Sequence, residues 1–121
     1  MEVEELYADG AGETHFRTII VAFELRDFSP PSPPVGVSAD LKPGAAVFLA
    51  APPGWDKVFH PAPSKQLAII LSGELTIVAT DGEVRRFGPG GCVLLNDPGS
   101  KGHLTQVQGT TKVHALMVAI A

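Results

Sequence analysis

The sequence predicts an all-β domain of the sandwich or barrel type, and three observations carry that expectation. Short runs rich in β-branched and apolar residues recur along the chain, separated by turn residues. The 13 Gly and 11 Pro among 121 residues follow no G-X-Y period, so they mark tight turns between short strands. No segment carries a convincing amphipathic helical stripe, and no internal repeat is present.

The elements follow in order. From about Thr14 to Asp27 the chain is rich in β-formers, which predicts one long strand or two short ones. A helix over Phe16–Leu25 competes, but the β-branched Thr18-Ile19-Ile20-Val21 favours a strand. Ser29-Pro-Pro-Ser-Pro-Pro34 cannot sit inside a sheet, because proline fixes φ and lacks the donor. It reads as a strap across the domain surface, with a PxxP ligand for an SH3-type partner as the sharper alternative. Strands are then expected at Ala45–Ala50, Lys57–His60, Gln66–Leu71, Glu74–Ala79, Glu83–Phe87, Cys92–Leu95, His103–Val107 and Lys112–Ile120. Asp81-Gly82 is a strong hairpin signal between two of them. Leu67-Ala-Ile-Ile-Leu71 and the segment Lys112–Ala121 are apolar on both faces. Something must cover their outer side: the N-terminal strand or a second copy of the chain, which makes a homodimer the expected assembly.

Composition narrows the function classes. One domain of this length can bury one core. A formal charge of -4, with Arg85-Arg86 the only adjacent basic pair, gives no drive toward a phosphate backbone, so no nucleic-acid role is expected. Cys92 is the only cysteine, which excludes an internal disulfide and a Cys-rich zinc module. Met-Glu-Val-Glu-Glu is acidic where a signal peptide is basic, and no apolar run is long enough to span a bilayer. A cytoplasmic protein with no membrane partner is the expectation. Nucleophilic catalysis finds no support, since there is no G-x-S-x-G, and Gly88-Pro-Gly-Gly91 is followed by no helix that could hold a phosphate.

Gly54, His60 and Gly73 have the spacing of a known pair of barrel strands, with Ala62 and Gln66 between them. Further on, Pro98, Ser100, His103 and Val107 have a second such spacing, with Gly91 upstream. Together the two segments resemble the cupin superfamily. The family's first motif places Gly, His-x-His, Glu and Gly where this chain has Gly54, His60, Ala62, Gln66 and Gly73. Its second places Gly, Pro-x-Gly-x-x-His and Asn where this chain has Gly91 (one position early), Pro98, Ser100, His103 and Val107. The resemblance covers roughly Ala45 to Ala121. It implies a double-stranded β-helix, the jelly-roll barrel. The strand and Pro-rich strap of 1–44 would precede a barrel core at 45–121, all one domain.

The resemblance also implies a site inside the barrel, around His60, Gln66 and His103, with Trp55 and Phe59 beside it. In metal-binding relatives four motif side chains converge on one ion, and at most three survive here. His60, Gln66 and His103 could hold a divalent transition metal such as Zn, Fe, Ni or Mn. Gln66 keeps an amide oxygen but loses a charge worth about 4 kcal/mol at contact in a partly wet site. A metal-free pocket that binds a small polar molecule is an equal reading. The functional expectation is therefore a small-molecule-binding barrel. The alternative is a metal-dependent dioxygenase or isomerase acting on a small carboxylate or sugar, and a third reading is a partner-binding module. Whether the chain is an enzyme stays open. Cys92 reads as a buried small hydrophobe, His114 as structural, and His15 and Glu74 as solvated.

Overall fold

The computed structural model describes all 121 residues and contains eleven strands and no helix. In chain order these are β1 (Glu2–Ala8), β2 (Thr14–Ile20), β3 (Glu24–Arg26), β4 (Val35–Val37), β5 (Pro43–Ala51) and β6 (Gln66–Ser72). They continue with β7 (Leu75–Ala79), β8 (Val84–Phe87), β9 (Cys92–Asn96), β10 (His103–Val107) and β11 (Val113–Ile120). A six-stranded sheet runs β2-β1-β9-β6-β11-β5 and a three-stranded sheet runs β10-β7-β8. Alternation along each strand sends one face of each sheet inward. Leu6, Phe16, Ala68, Ile70, Val93, Leu95, Val113 and Ala115 come from the large sheet. They meet Leu75, Ile77, Ala79 and Phe87 from the small one, and this is the core.

The expected strands from Ala45 onward are present within one or two residues of their bounds, with one exception. Lys57–His60 is not a strand. Prolines at 52, 53, 61 and 63 remove donors around it, and only His60 makes a ladder contact. The long loop 52–65 instead closes one end of the barrel. The 14–27 region resolves into two strands, β2 and β3, joined by a short link whose Val21 bonds to Met1. β1 escaped prediction because Glu2, Glu4 and Glu5 interrupt its apolar pattern. Glu5 is nevertheless buried on the outer face, where it accepts hydrogen bonds from Arg17 Nε (2.5 Å) and Asn96 Nδ2 (2.9 Å). Burial pushes its carboxyl up, but those two bonds outweigh burial and leave it below the ordinary value.

β1 lies in the plane of the large sheet, antiparallel to β2 and parallel to β9. It therefore extends the sheet, while Phe23, Ser38 and Leu41 from the segments after β2 and β4 lie beside the outer-face residues Leu67, Cys92 and Leu94. Phe48, 80% exposed, and Leu71, 48% exposed, remain open on that outer side. The Pro-rich segment is the exposed connection between β3 and β4, which form a separate two-stranded ribbon.

Candidate functional site

The site is built by a close approach of two backbones. His60 and His103 face each other as an antiparallel pair, each N–H donating to the other's carbonyl at 3.0 Å. Gly102 makes this approach possible. Its φ is +84°, and a Cβ there would lie 2.1 Å from the His60 carbonyl carbon. The loop 52–65 is thus seated on the start of β10, and the two imidazole rings come within 5.4 Å of one another.

Each imidazole has its own aspartate. His103, 3% exposed, donates from Nδ1 to Asp97 Oδ2 at 2.7 Å. Asp97 is fully buried, and its Oδ1 accepts from the Ala62 N–H at 3.1 Å. His60 Nε2 lies 2.9 Å from Asp56 Oδ2, which also accepts from the Thr105 N–H at 2.9 Å. His60 Nδ1 lies 3.2 Å from the Pro61 carbonyl oxygen. In the neutral ring only one His60 nitrogen can donate, and the nearer acceptor is the Asp56 carboxylate at Nε2, whereas His103 keeps Nε2 free of any partner in the chain.

These rings border a cavity of about 70 Å³ inside the barrel. Ten of its thirteen lining residues are hydrophobic, among them Leu49, Ile70, Ile77 and Met117, so its polar character comes from very few atoms. Of the residues the sequence singled out, His60, His103 and Trp55 line it. Trp55 sits at the mouth, its ring edge-on to His60 at 6.2 Å. Gln66 and Phe59 are not among the lining residues, and Phe59 is 45% exposed. Gln66 opens β6, one inward position before Ala68 and Ile70, opposite Leu95 and Ala119 near the far end of the strand pair.

The donor set does not suit a divalent cation. Ala62 supplies no ligand, Gln66 stands outside the cavity, and Asp56 occupies Nε2 of His60. No three His, Cys, Asp or Glu side chains are grouped to hold an ion. One imidazole nitrogen in an apolar cavity falls short of what transition metals require.

Sequence reasoning did not find Asp56, Asp97, Thr105 or Gly102. Asp97 precedes Pro98 and has the local look of a turn residue. Only the fold brings it under His103. The remaining candidates have ordinary roles. His114 is exposed and shares a 3.0 Å hydrogen bond with Ser72 Oγ. Cys92 is partly buried on the outer face of β9, and burial pushes its thiol up. Glu74 pairs with Arg86 at 2.5 Å. His15 joins Asp9 (2.7 Å) and Asp81 (2.9 Å), tying the β1–β2 turn to the β7–β8 turn.

Comparison with solved structures agrees with this architecture. An RmlC-like cupin protein with a double-stranded β-helix fold, from Methanocaldococcus jannaschii, superposes with a TM-score of 0.54 at 18% identity. The match covers 84% of this chain and 91% of that one. The chain therefore has the double-stranded β-helix fold of the RmlC-like cupins. The Schizosaccharomyces pombe Cnp3 cupin domain overlaps at a TM-score of 0.48, with 14% identity over 100% of this chain and 83% of that one. A putative ethanolamine utilization protein Q from Salmonella typhimurium overlaps at 0.42, with 19% identity over 99% and 95%. No family model matches the sequence, and no curated protein matches it.

Proposed function

We propose that this chain is a small-molecule-binding cupin whose ligand enters the barrel past Trp55 and rests against His103. The observation that carries this is the free Nε2 of a buried, aspartate-anchored histidine at an otherwise apolar cavity. Pockets of this kind hold an apolar body by burial and orient it through a few fixed polar atoms. The metal-dependent alternative, a dioxygenase or isomerase, has against it the donor set described above. Titrating two- to four-carbon alcohols while following the Ile70 and Ile77 methyl resonances tests the reading. Filling the cavity with Ala115→Leu should remove the response. Persistence of binding in that variant places the ligand elsewhere and sinks the proposal.

We also infer a homodimer formed at β5. This strand is the edge of the large sheet, nine residues long and without a charge. An uncharged apolar edge is the kind that monomeric proteins blunt with Lys, Pro or bulges. A second copy of β5, antiparallel across a two-fold axis, would satisfy its free backbone groups and cover Phe48.

A further inference from the structure

We infer that the pocket selects ligands that donate a hydrogen bond, small alcohols over the matching ketones, and that Asp97 sets this preference from outside the cavity. The inference rests on the pocket reading given above and adds the polarity of the ligand. Asp97 as a carboxylate can only accept. His103 Nδ1, at 2.7 Å, must therefore carry the proton, and in the neutral ring Nε2 is left as a lone-pair acceptor.

The other polar groups at the cavity do not override this atom. In the neutral ring His60 gives its one proton to the Asp56 carboxylate from Nε2 at 2.9 Å, so it offers the ligand no donor. Thr105 carries a hydroxyl that rotates to serve either a donor or an acceptor. The Trp55 side chain is at the mouth and 46% exposed, so water serves its N–H. The cavity of about 70 Å³ is roughly half of the 150 Å³ that holds benzene, so it admits an apolar body of about three carbon atoms. A ketone of that size leaves Nε2 desolvated and unpaired, whereas the alcohol pairs with it.

The anchor also predicts how to reverse the preference. Asp97 Oδ1 is committed to the Ala62 N–H at 3.1 Å. In Asp97→Asn the amide oxygen must take that place, which points the NH2 at His103 Nδ1. The proton then moves to Nε2, and the cavity's acceptor becomes a donor. Neither residue that touches the ligand changes, so Asp97 acts as a positioning residue.

The test compares 2-propanol with acetone, a near-isosteric pair, by NMR titration at about pH 8, above the ordinary imidazole pKa. In the unaltered protein 2-propanol should bind about ten-fold more tightly. In Asp97→Asn the ratio should fall to about one or invert. Long-range nitrogen–proton spectra of the unaltered protein should show the Nδ1–H tautomer at His103, which keeps the inference testable if the variant fails to fold. Equal binding of both probes, or the opposite tautomer, overturns the inference and leaves the pocket standing. A ten-fold preference that survives Asp97→Asn overturns it as well. No response of the cavity methyl groups to either probe overturns the pocket reading along with it.

Discussion

Replacing Gly102 by alanine should be among the most costly single changes this chain can suffer. The new Cβ would stand 2.1 Å from the His60 carbonyl carbon, 2.3 Å from its oxygen and 2.4 Å from Pro61 N. Carbon atoms pack at about 3.5–4.0 Å, so the loop must retreat by more than about 1 Å. That retreat breaks both backbone bonds between His60 and His103, now at 3.0 Å. Two such bonds are worth about 1 kcal/mol each, and the left-handed backbone of an alanine at φ +84° adds about 1–2 kcal/mol. The expected loss is about 3–4 kcal/mol, a large share of a small domain's stability. Gly99 is the matched control, because its φ is +73° with nothing within 4 Å. Gly99→Ala should cost only the backbone share, about 1–2 kcal/mol. Urea unfolding of both variants, read from midpoints at constant slope, measures the difference. Equal destabilisation, with the His60 amide still protected from exchange, would refute the claim that close approach and not φ alone demands glycine at 102.

Other outcomes follow from the same geometry. Hydrogen bonds to Asp9 and Asp81 raise the pKa of His15 above its ordinary value. Its stabilisation should be complete below about pH 6.5 and disappear as pH rises through the raised folded value. The urea midpoint should therefore fall on the alkaline side, and His15→Gln should remove that slope; a slope unchanged in the variant means other groups carry it. Incubation with excess Zn, Fe, Ni or Mn, followed by desalting and elemental analysis, should leave less than one metal per chain. Stoichiometric metal that vanishes in His60→Ala and in His103→Ala would restore the metal reading. Light scattering should report a dimer that Phe48→Lys converts to monomer, whereas a monomeric parent protein would sink the β5 interface.

Much of this molecule was legible in the chain. Short apolar runs between glycine and proline turns defined the strands, because side-chain alternation and turn chemistry act over a few residues. The Asp81-Gly82 hairpin was read directly, and Gly82 indeed has φ +91°. His60 and His103 were singled out by spacing, and the fold brings their rings together. Their partners were not legible. Asp56 and Asp97 look like turn aspartates until the loop 52–65 is seated on β10, a contact between residues some forty positions apart. Gln66 failed for the reciprocal reason: being on the inward face of a strand does not place a residue at the cavity, which lies further along β6. Glu5 hid β1, since its burial depends on Arg17 and Asn96 arriving from other strands.

By itself, then, the sequence determined the class of fold and singled out two histidines, because strand periodicity and motif spacing are local. Only the tertiary structure decided what those histidines offer. Asp56 and Asp97 each take one nitrogen of their histidine, and the seating of loop 52–65 on β10 leaves His103 Nε2 beside an apolar cavity.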